Sequence, residues 1–526
     1  MRWVLIRPCN HSPYYDPEVQ EPLGLEYLSA FARRQGHQVL VLDAVLDGHS
    51  DVRLARRSVA FQPDAIGISM TTAQEVDSVL AICREVARVS PGRNYRWIAG
   101  GNFITSEPLQ AERLLPQEFS LVRFEGENAL MEPVLLRSAA DDRPSDQDLA
   151  IRSNPPKILA AKPIANLGDL PFPDRPYAEQ IVASDGALNL QGSRGCCGAC
   201  RYCSSPGMTS HGGRRWRGRP IPHVVEEIAH LHQRHRTRSF NFIDEDFLGP
   251  NNLAIGRAEA FASEIRQRGL RLAFSIQVRP DSLSESVIST LANAGLTYTF
   301  MGIESDDPQD LRRWGRPFRT DPWPLVNLLR KHGVEVNIGV MMWHPHATHA
   351  SIRRCAERLR QYGLLEYRSA INRLDAMPGS SMHAEALAAG AIDAVRCGPQ
   401  PLPFLQRRIE GLHRDVQEAL APLGPPSMHA LCALPPTVAR RRLAGEAGDT
   451  LIGLREIIRR QDSAVVDTFF TVLTSHETGA TPQGVVDSCR RRNLTIALET
   501  SANLVQLGLA PSMEALREAI RIDAGM

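Results

Sequence analysis

The sequence predicts an α/β chain in three parts: a doubly wound parallel sheet over residues 1–137, a partial (β/α)6 barrel over 186–395 and a helical domain over 396–526, with 138–185 as a linker. Three observations predict it. Short apolar runs alternate with helix-period stretches through the first 130 residues or so. The alternation restarts near Leu188 and runs to about Asn372, and beyond residue 395 the strand signals stop.

Taken in order, residues 3–6 read as a buried strand and 23–34 as a helix with Leu25, Leu28, Phe31 and Ala32 on one face. Residues 39–42, 65–69, 97–99 and 121–124 read as further strands and 73–89 as a helix, a succession that implies parallel βαβ units. The polar run 141–146 and the proline-rich run 170–174 mark the linker. The second series has strands at 188–191, 239–243, 272–278, 298–303, 334–341 and 367–372, with helices at 222–235, 255–267, 285–294 and 352–361. The last part reads as helices at 404–421, 437–444, 451–460 and 482–507, with Thr481 as cap and Pro482 at the first helical position of the last.

Composition narrows the function. Lys plus Arg is 60 and Asp plus Glu 59, so a formal charge of +1 gives no electrostatic reason to expect nucleic acid or an anionic membrane as partner. No apolar run approaches the roughly 20 residues of a membrane-spanning helix, and residues 1–7 lack the long apolar stretch of a signal peptide. A cytoplasmic protein is expected. Four of the ten cysteines fall between Cys196 and Cys203, a clustering that points to metal binding or catalysis rather than disulfides.

In open α/β sheets ligands lie beyond the carboxyl ends of the strands. There the sequence has Gly67 and Ser69, then Gly100-Gly101, then Glu125-Gly126-Glu127, where glycine would let backbone approach a large ligand. They also read as ordinary turn glycines. Cys196, Cys200 and Cys203 have the spacing C-x3-C-x2-C in a loop after a strand. Three thiolates round one loop suit a four-iron cluster with its fourth iron open. A structural zinc recruiting Cys197, or unconnected thiols, are the other readings.

With Tyr202 before the last cysteine, this segment resembles the radical S-adenosylmethionine (SAM) superfamily. Phe242-Ile243-Asp244-Glu245-Asp246-Phe247 is similar to the acidic motif that holds the SAM amino group. Arg279-Pro280-Asp281, Gly302-Ile303-Glu304-Ser305, His344-Pro345-His346-Ala347-Thr348 and Met377-Pro378-Gly379-Ser380 resemble family positions after the third to sixth strands, so the likeness spans about 166–390. The first 137 residues are similar to the Rossmann-like cobalamin-binding domain of the B12-dependent branch, through Pro22-Leu23-Gly24-Leu25-Glu26-Tyr27-Leu28, Asp64-Ala65-Ile66-Gly67-Ile68-Ser69, Gly100-Gly101 and Glu125-Gly126-Glu127. They depart from it in lacking the D-x-H-x-x-G segment. Residues 43–48 mimic that segment without its histidine after the wrong strand, and His11 lies in the right loop without the motif.

The resemblance implies a [4Fe–4S] cluster on Cys196, Cys200 and Cys203. It implies SAM held by Glu245, with Asp244 as substitute, at its amino group, by Arg279 at its carboxylate and by Glu304 at its ribose. It implies cobalamin, without a histidine on its lower face, against Gly67, Ser69, Met70, Thr71, Gly100, Gly101, Glu125 and Gly126, and an electron donor such as flavodoxin or ferredoxin. A 5′-deoxyadenosyl radical would then open an unactivated carbon of a small-molecule or peptide substrate of the natural-product kind, and methylcobalamin would methylate it. Rearrangement, cyclisation or dehydration needs the same parts, with or without bound cobalamin, and a non-catalytic zinc or iron–sulfur protein is the reading from another class. Glu245, Arg279 and Glu304 also read as structural ion pairs.

Among the remaining features, His344 and His346 read as loop residues or substrate contacts, with a metal on them and His349 as the weaker reading. His230, His232 and His235 read as a solvated helix surface. Arg214, Arg215, Arg217 and Arg219 around Trp216 read as a solvated loop or a contact to a cofactor phosphate, and Cys355, Cys397, Cys432 and Cys489 as ordinary thiols.

Overall fold

Six parallel strands build the first sheet of the computed structural model, which describes residues 1–10, 20–130, 158–209, 215–316, 320–444, 448–479, 482–510 and 512–523. They are β1 (Arg2–Arg7), β2 (Gln38–Asp43), β3 (Ala65–Ser69), β4 (Arg96–Gly100), β5 (Phe119–Arg123) and β6 (Ile158–Ala160), in the order β2-β1-β3-β4-β5-β6. The order reverses between β1 and β3, and such a switch point opens a crevice at the carboxyl ends of its two strands. Val4, Ile6, Ile66, Ile68, Ala99 and Leu121 form the core together with Trp97 and Phe119. The helices Leu23–Arg34 and Val76–Val89 form as their apolar spacing requires. The helix Asp51–Ala60 went unread because only Leu54, Ala55 and Ser58 of its ten residues are buried. β6 comes from the segment read as linker and pairs with β5 through Leu121 and Ile158.

Contact density divides the chain into two units, residues 1–237 with 377–400 and residues 238–376 with 401–526. The first also holds the short strand β7 (Leu188–Leu190), the antiparallel pair β8 (Ser193–Gly195) and β9 (Trp216–Gly218), and the helix Ile221–His235. In the second unit β10 (Ser239–Phe242), β11 (Ala273–Val278), β12 (Leu296–Glu304) and β13 (Glu335–Val340) pair in parallel, in sequence order. Phe240, Phe242 and Phe274 are fully buried on one face, where Phe261 of the helix Asn251–Gln267 meets Phe242 and Phe274 at 5.8 and 5.2 Å between ring centres. The alternate residues, Ser239, Asn241, Ser275, Tyr298, Phe300 and Asn337, are only half-buried.

One predicted strand is a helix. Residues 367–372 contain the helix Tyr367–Ile371, because Glu366 and Ser369 cap it reciprocally: the Glu366 N–H donates to the Ser369 hydroxyl at 2.9 Å. Strand-like pairing resumes only at Arg373, which bridges to Trp343 in parallel. The remainder of the second unit is helical: Arg407–Leu420, Gly424–Ala444, Gly448–Thr478, Pro482–Gln506 and Met513–Asp523. Gly424–Ala444 packs against β10, β11 and β12. Thr481 lies outside the described residues, among which no helix is long and apolar enough to cross a membrane. The fold class is therefore α/β, with a Rossmann-like N-terminal sheet, a second parallel sheet and a helical C-terminal region.

Candidate functional site

The cysteine loop leaves β8 through Gly195, whose backbone is left-handed (φ +83°) and whose missing Cβ would lie 2.0 Å from the Arg215 carbonyl. Only glycine fits there, so the entry to Cys196 is fixed by backbone. Cys196, Cys200 and Cys203 are each half-buried. The Gly198 N–H donates to the Cys196 sulfur at 3.3 Å and the Ser205 N–H to the Cys203 sulfur at 3.4 Å, contacts that favour thiolate over thiol. Three such donors in one loop fit an iron–sulfur cluster chemically. Among the described residues, no three His, Cys, Asp or Glu side chains stand in a geometry ready to hold a metal ion.

Two other segments reach this loop. Gly207, in the short helix Ser205–Thr209, sits so close to Gly379 that a Cβ would lie 2.2 Å from its carbonyl. Gly379 (φ +82°) itself faces Ser106 and Ser204, at 3.4 and 3.8 Å from an ideal Cβ. The Met382 N–H donates to the Arg201 carbonyl at 2.9 Å. Ser106 ends the helix Asn102–Ser106, which begins directly after Gly100-Gly101. The loop after β4, the cysteine loop and the predicted loop at Met377-Pro378-Gly379-Ser380 thus converge within the first unit.

At the carboxyl edge of the first sheet the expected cobalamin contacts have specific surroundings. Gly67 and Gly101 are filled from within: a Cβ would meet Leu5 Cδ2 at 2.9 Å and the Met70 carbonyl at 2.4 Å, and Gly101 is left-handed (φ +104°). Met70 is fully buried, and its N–H donates to the Gly100 carbonyl at 2.8 Å. Thr71 is exposed and its hydroxyl donates to Glu75, whose own pKa burial raises against hydrogen bonds from Thr71 and Thr72. Ser69 and Gly100 remain half-buried at the rim. The loop Met70-Thr71-Thr72 offers hydroxyls and no imidazole, which fits a corrinoid without a histidine below it. His11 lies outside the described residues.

Glu125 and Glu127 are committed to arginines. Arg194 reaches Glu125 at 3.0 Å and Glu127 at 2.7 Å, and Arg217 pairs with Glu125. Burial would raise the Glu125 pKa, but Arg217 and Arg194 outweigh it and hold the carboxylate below its ordinary range. Gly126, between the two glutamates, presses on Leu28, 3.1 Å from an ideal Cβ. Two arginines of the basic run are therefore not solvated: Arg217 and Arg219 are buried, Arg217 against Glu125 and Arg219 against Glu227, because these acids enclose them. Arg215 is exposed, and Arg214 lies outside the described residues.

In the second unit the expected SAM residues follow the strand ends. Glu245 is exposed after β10, while Asp244 and Asp246 are fully buried. Burial pushes Asp246 up to about 6 against the pull of Arg279, 3.3 Å away. Arg279 also bonds Asn251 at 2.6 Å and Asp281 at 3.2 Å, so it is already held by protein groups. Glu304 ends β12 in a left-handed conformation (φ +70°), which costs a non-glycine residue energy and clusters at functional positions. Its carboxylate folds back over Gly302 and Gly339: ideal Cβ atoms there would lie 2.3 Å from Oε1 and 3.5 Å from Oε2. Two glycines thus make the cradle for one acid, an acceptor that fits hydroxyl groups. His344 is buried against Asp310 at 3.2 Å and edge-on to Trp314, and His346 is exposed.

Sequence reasoning missed the half-buried polar row Asn241, Ser275, Tyr298 and Asn337, where the Ser275 hydroxyl donates to Asn241 at 2.5 Å. Strict alternation with the buried phenylalanines was the available signal. His235, read as solvated, is buried, and His232 bonds the Thr237 carbonyl at 2.8 Å.

Comparison with known proteins finds two family models in the chain. The radical SAM superfamily model matches residues 190–359 and the B12 binding domain model residues 17–134. The chain is 28% identical over 306 residues to an uncharacterized methyltransferase of Pyrococcus horikoshii, covering 56% of this chain and 63% of that protein. It is 25% identical over 309 residues to the hopanoid C-3 methylase of Methylococcus capsulatus, covering 56% and 55%. The match therefore spans less than two thirds of the length of either relative. In fold it resembles the cobalamin-dependent S-adenosylmethionine radical enzyme OxsB, solved with aqua-cobalamin and S-adenosylmethionine bound, at a TM-score of 0.76 and 15% identity over 100% of this chain and 83% of that one.

Proposed function

Because the chain belongs to the radical SAM superfamily and carries a B12-binding domain ahead of the radical SAM segment, we propose that it is a cobalamin-dependent methyltransferase acting on an unactivated carbon of a small-molecule or peptide natural product. The observation that carries the reading is the convergence at Gly379, where the cysteine loop touches the segment that continues the carboxyl edge of the first sheet. When bound, the cluster, SAM and the corrinoid supply hydrogen abstraction and a transferable methyl group.

The residues of the chain then have separate tasks. Cys196, Cys200 and Cys203 hold the cluster, and the Gly198 and Ser205 amides donate to two of the sulfurs. Glu245, exposed at its strand end, suits an ammonium group, with buried Asp244 behind it. Glu304, held over Gly302 and Gly339, accepts from hydroxyls. Arg279 pairs with a carboxylate only by sharing the fork that Asn251, Asp246 and Asp281 now occupy. Ser69, Thr71, Gly100 and Gly101 form a rim for the corrinoid, with Gly67, Met70, Glu125 and Gly126 supporting it from beneath. A reduced flavodoxin or ferredoxin supplies the electron.

The test is to purify the protein without oxygen from cobalamin-fed cells, reconstitute iron and sulfide, and count corrinoid by cyanide extraction. About one corrinoid per chain is expected, followed by S-adenosylhomocysteine and a methylated product once an acceptor is supplied. Cluster-loaded, folded protein without corrinoid would overturn the methyl-transfer reading. Corrinoid-loaded protein that forms 5′-deoxyadenosine and a rearranged or cyclised product, with no S-adenosylhomocysteine, would replace it with the alternative reaction.

A further inference from the structure

Four arginines and five glutamates cluster in the first unit, six of them buried and Arg175, Arg194 and Glu125 half-buried. Arg175 lies 2.7 Å from Glu21, 3.7 Å from Glu26 and 2.5 Å from Glu227. Arg219 pairs with Glu227 at 2.5 Å and donates to the Tyr27 hydroxyl at 3.2 Å. Arg194 and Arg217 take Glu125 and Glu127. Burial, and after it the charge of Glu21, drive the Glu26 pKa well above its ordinary value against the pull of Arg175, and burial raises Glu21 as well.

The network is not spread evenly. Its acids at Glu125 and Glu127 flank Gly126 in the turn after β5, whereas Arg194 and Arg217 sit opposite each other in the β8–β9 hairpin that feeds the cysteine loop. Arg194 uses three sides of its fork: one terminal nitrogen on Glu125, the other on Glu127, and Nε on Gln191 at 2.7 Å, with its face 5.6 Å from the Tyr27 ring centre. Arg217 also donates to the Ile164 carbonyl, and the Ile164 N–H returns to Glu125 at 2.8 Å. A planar fork with fixed angles transmits orientation as well as attraction, which a lysine does not.

We propose that Arg194 and Arg217 are positioning residues that lock the cysteine hairpin to the turn after β5 through Glu125 and Glu127, so that the cluster loop keeps one register against the corrinoid edge. The corrinoid half of this statement rests on the function proposed above; the locking itself does not.

Two measurements test it on the whole chain. In cluster-loaded, corrinoid-free protein, hydrogen exchange at residues 193–209 should quicken at least tenfold in Arg194→Gln and in Glu127→Gln, with β1, β3 and β4 unchanged. Arg194→Lys should restore only part of the protection. Unchanged exchange in the loop would overturn the proposal, as would uniform acceleration throughout the unit, the mark of a mere stability staple. Should the single variants fail to fold, the exchange Arg194→Glu with Glu127→Arg decides: recovered folding and loop protection supports the lock, and no recovery refutes it. In the holoenzyme, the reduced cluster should speed relaxation of the cob(II)alamin paramagnetic signal. Arg194→Gln, with both cofactors at unchanged stoichiometry, should lose at least half of that enhancement. A fully preserved enhancement overturns the coupling to the corrinoid edge. If the unaltered protein binds no corrinoid, the functional reading fails while the exchange result still judges the lock.

Discussion

The strands of the first sheet and those of the second bury their surfaces differently. In β1, β3 and β4 four, four and three consecutive residues are buried, so both faces are covered. In β10 and β13 buried and half-buried residues alternate without exception. A sheet covered on both faces has only its edge left for a ligand, whereas a sheet with one polar, half-covered face can use that face. The first is a platform and the second a wall.

Breaking the wall from its two sides should give the largest contrast. Phe242→Ala empties a fully buried site and should cost about 3–5 kcal/mol in denaturant unfolding. Its neighbour Asn241→Leu, on the polar face, should cost only about 1 kcal/mol while reducing SAM cleavage strongly, because shape is kept and a polar contact removed. Equal stability losses at both positions would erase the distinction. On the platform, Gly101→Ala should cost about 2–3 kcal/mol, since it adds backbone strain to a collision with the Met70 carbonyl. Gly126→Ala, which only presses a flexible leucine, should cost about 1 kcal/mol or less.

The smallest effect is set by pH, and its sign differs between the units. Glu125 and Glu227 are raised by burial but lowered further by their arginines, so their net shift is downward. Their contribution is present above the unfolded carboxylate range and lost as pH falls. In the second unit burial pushes Glu366 up to about 7 and Asp462 up to about 8. Their contribution is present below the unfolded range and is lost as pH rises through those values. Glu366→Gln should therefore raise the melting temperature of the second unit by ~2 °C at pH 8.5 and leave it unchanged at pH 5, measured by calorimetry. A shift of the same size at both pH values would refute the assignment.

Local signals explain what was legible. The helices Leu23–Arg34 and Glu285–Ala294 and the strand Ala65–Ser69 have the limits their periodicity predicts. The helix at Tyr367–Ile371 was misread because its β-like composition conceals the reciprocal cap of Glu366 and Ser369. The candidate site was legible as residue types, through the cysteine spacing and the glycines. Its wiring was not: Arg217 and Glu125 lie 92 positions apart, and nothing near Arg217 in the sequence foretells a buried carboxylate. The left-handed Glu304 was likewise invisible, since a strained backbone is imposed by the surrounding fold rather than by the residue itself.

The return of residues 377–400 to the first unit has a consequence for synthesis on the ribosome. Gly379, which closes against Gly207, emerges more than 170 residues after Cys203. At about 5–20 residues per second the cysteine loop waits roughly 9–35 s for its last neighbour. During that interval the thiols are open to iron carriers and equally to oxidants, so the order of translation sets a window for loading the proposed cluster before the loop is shut.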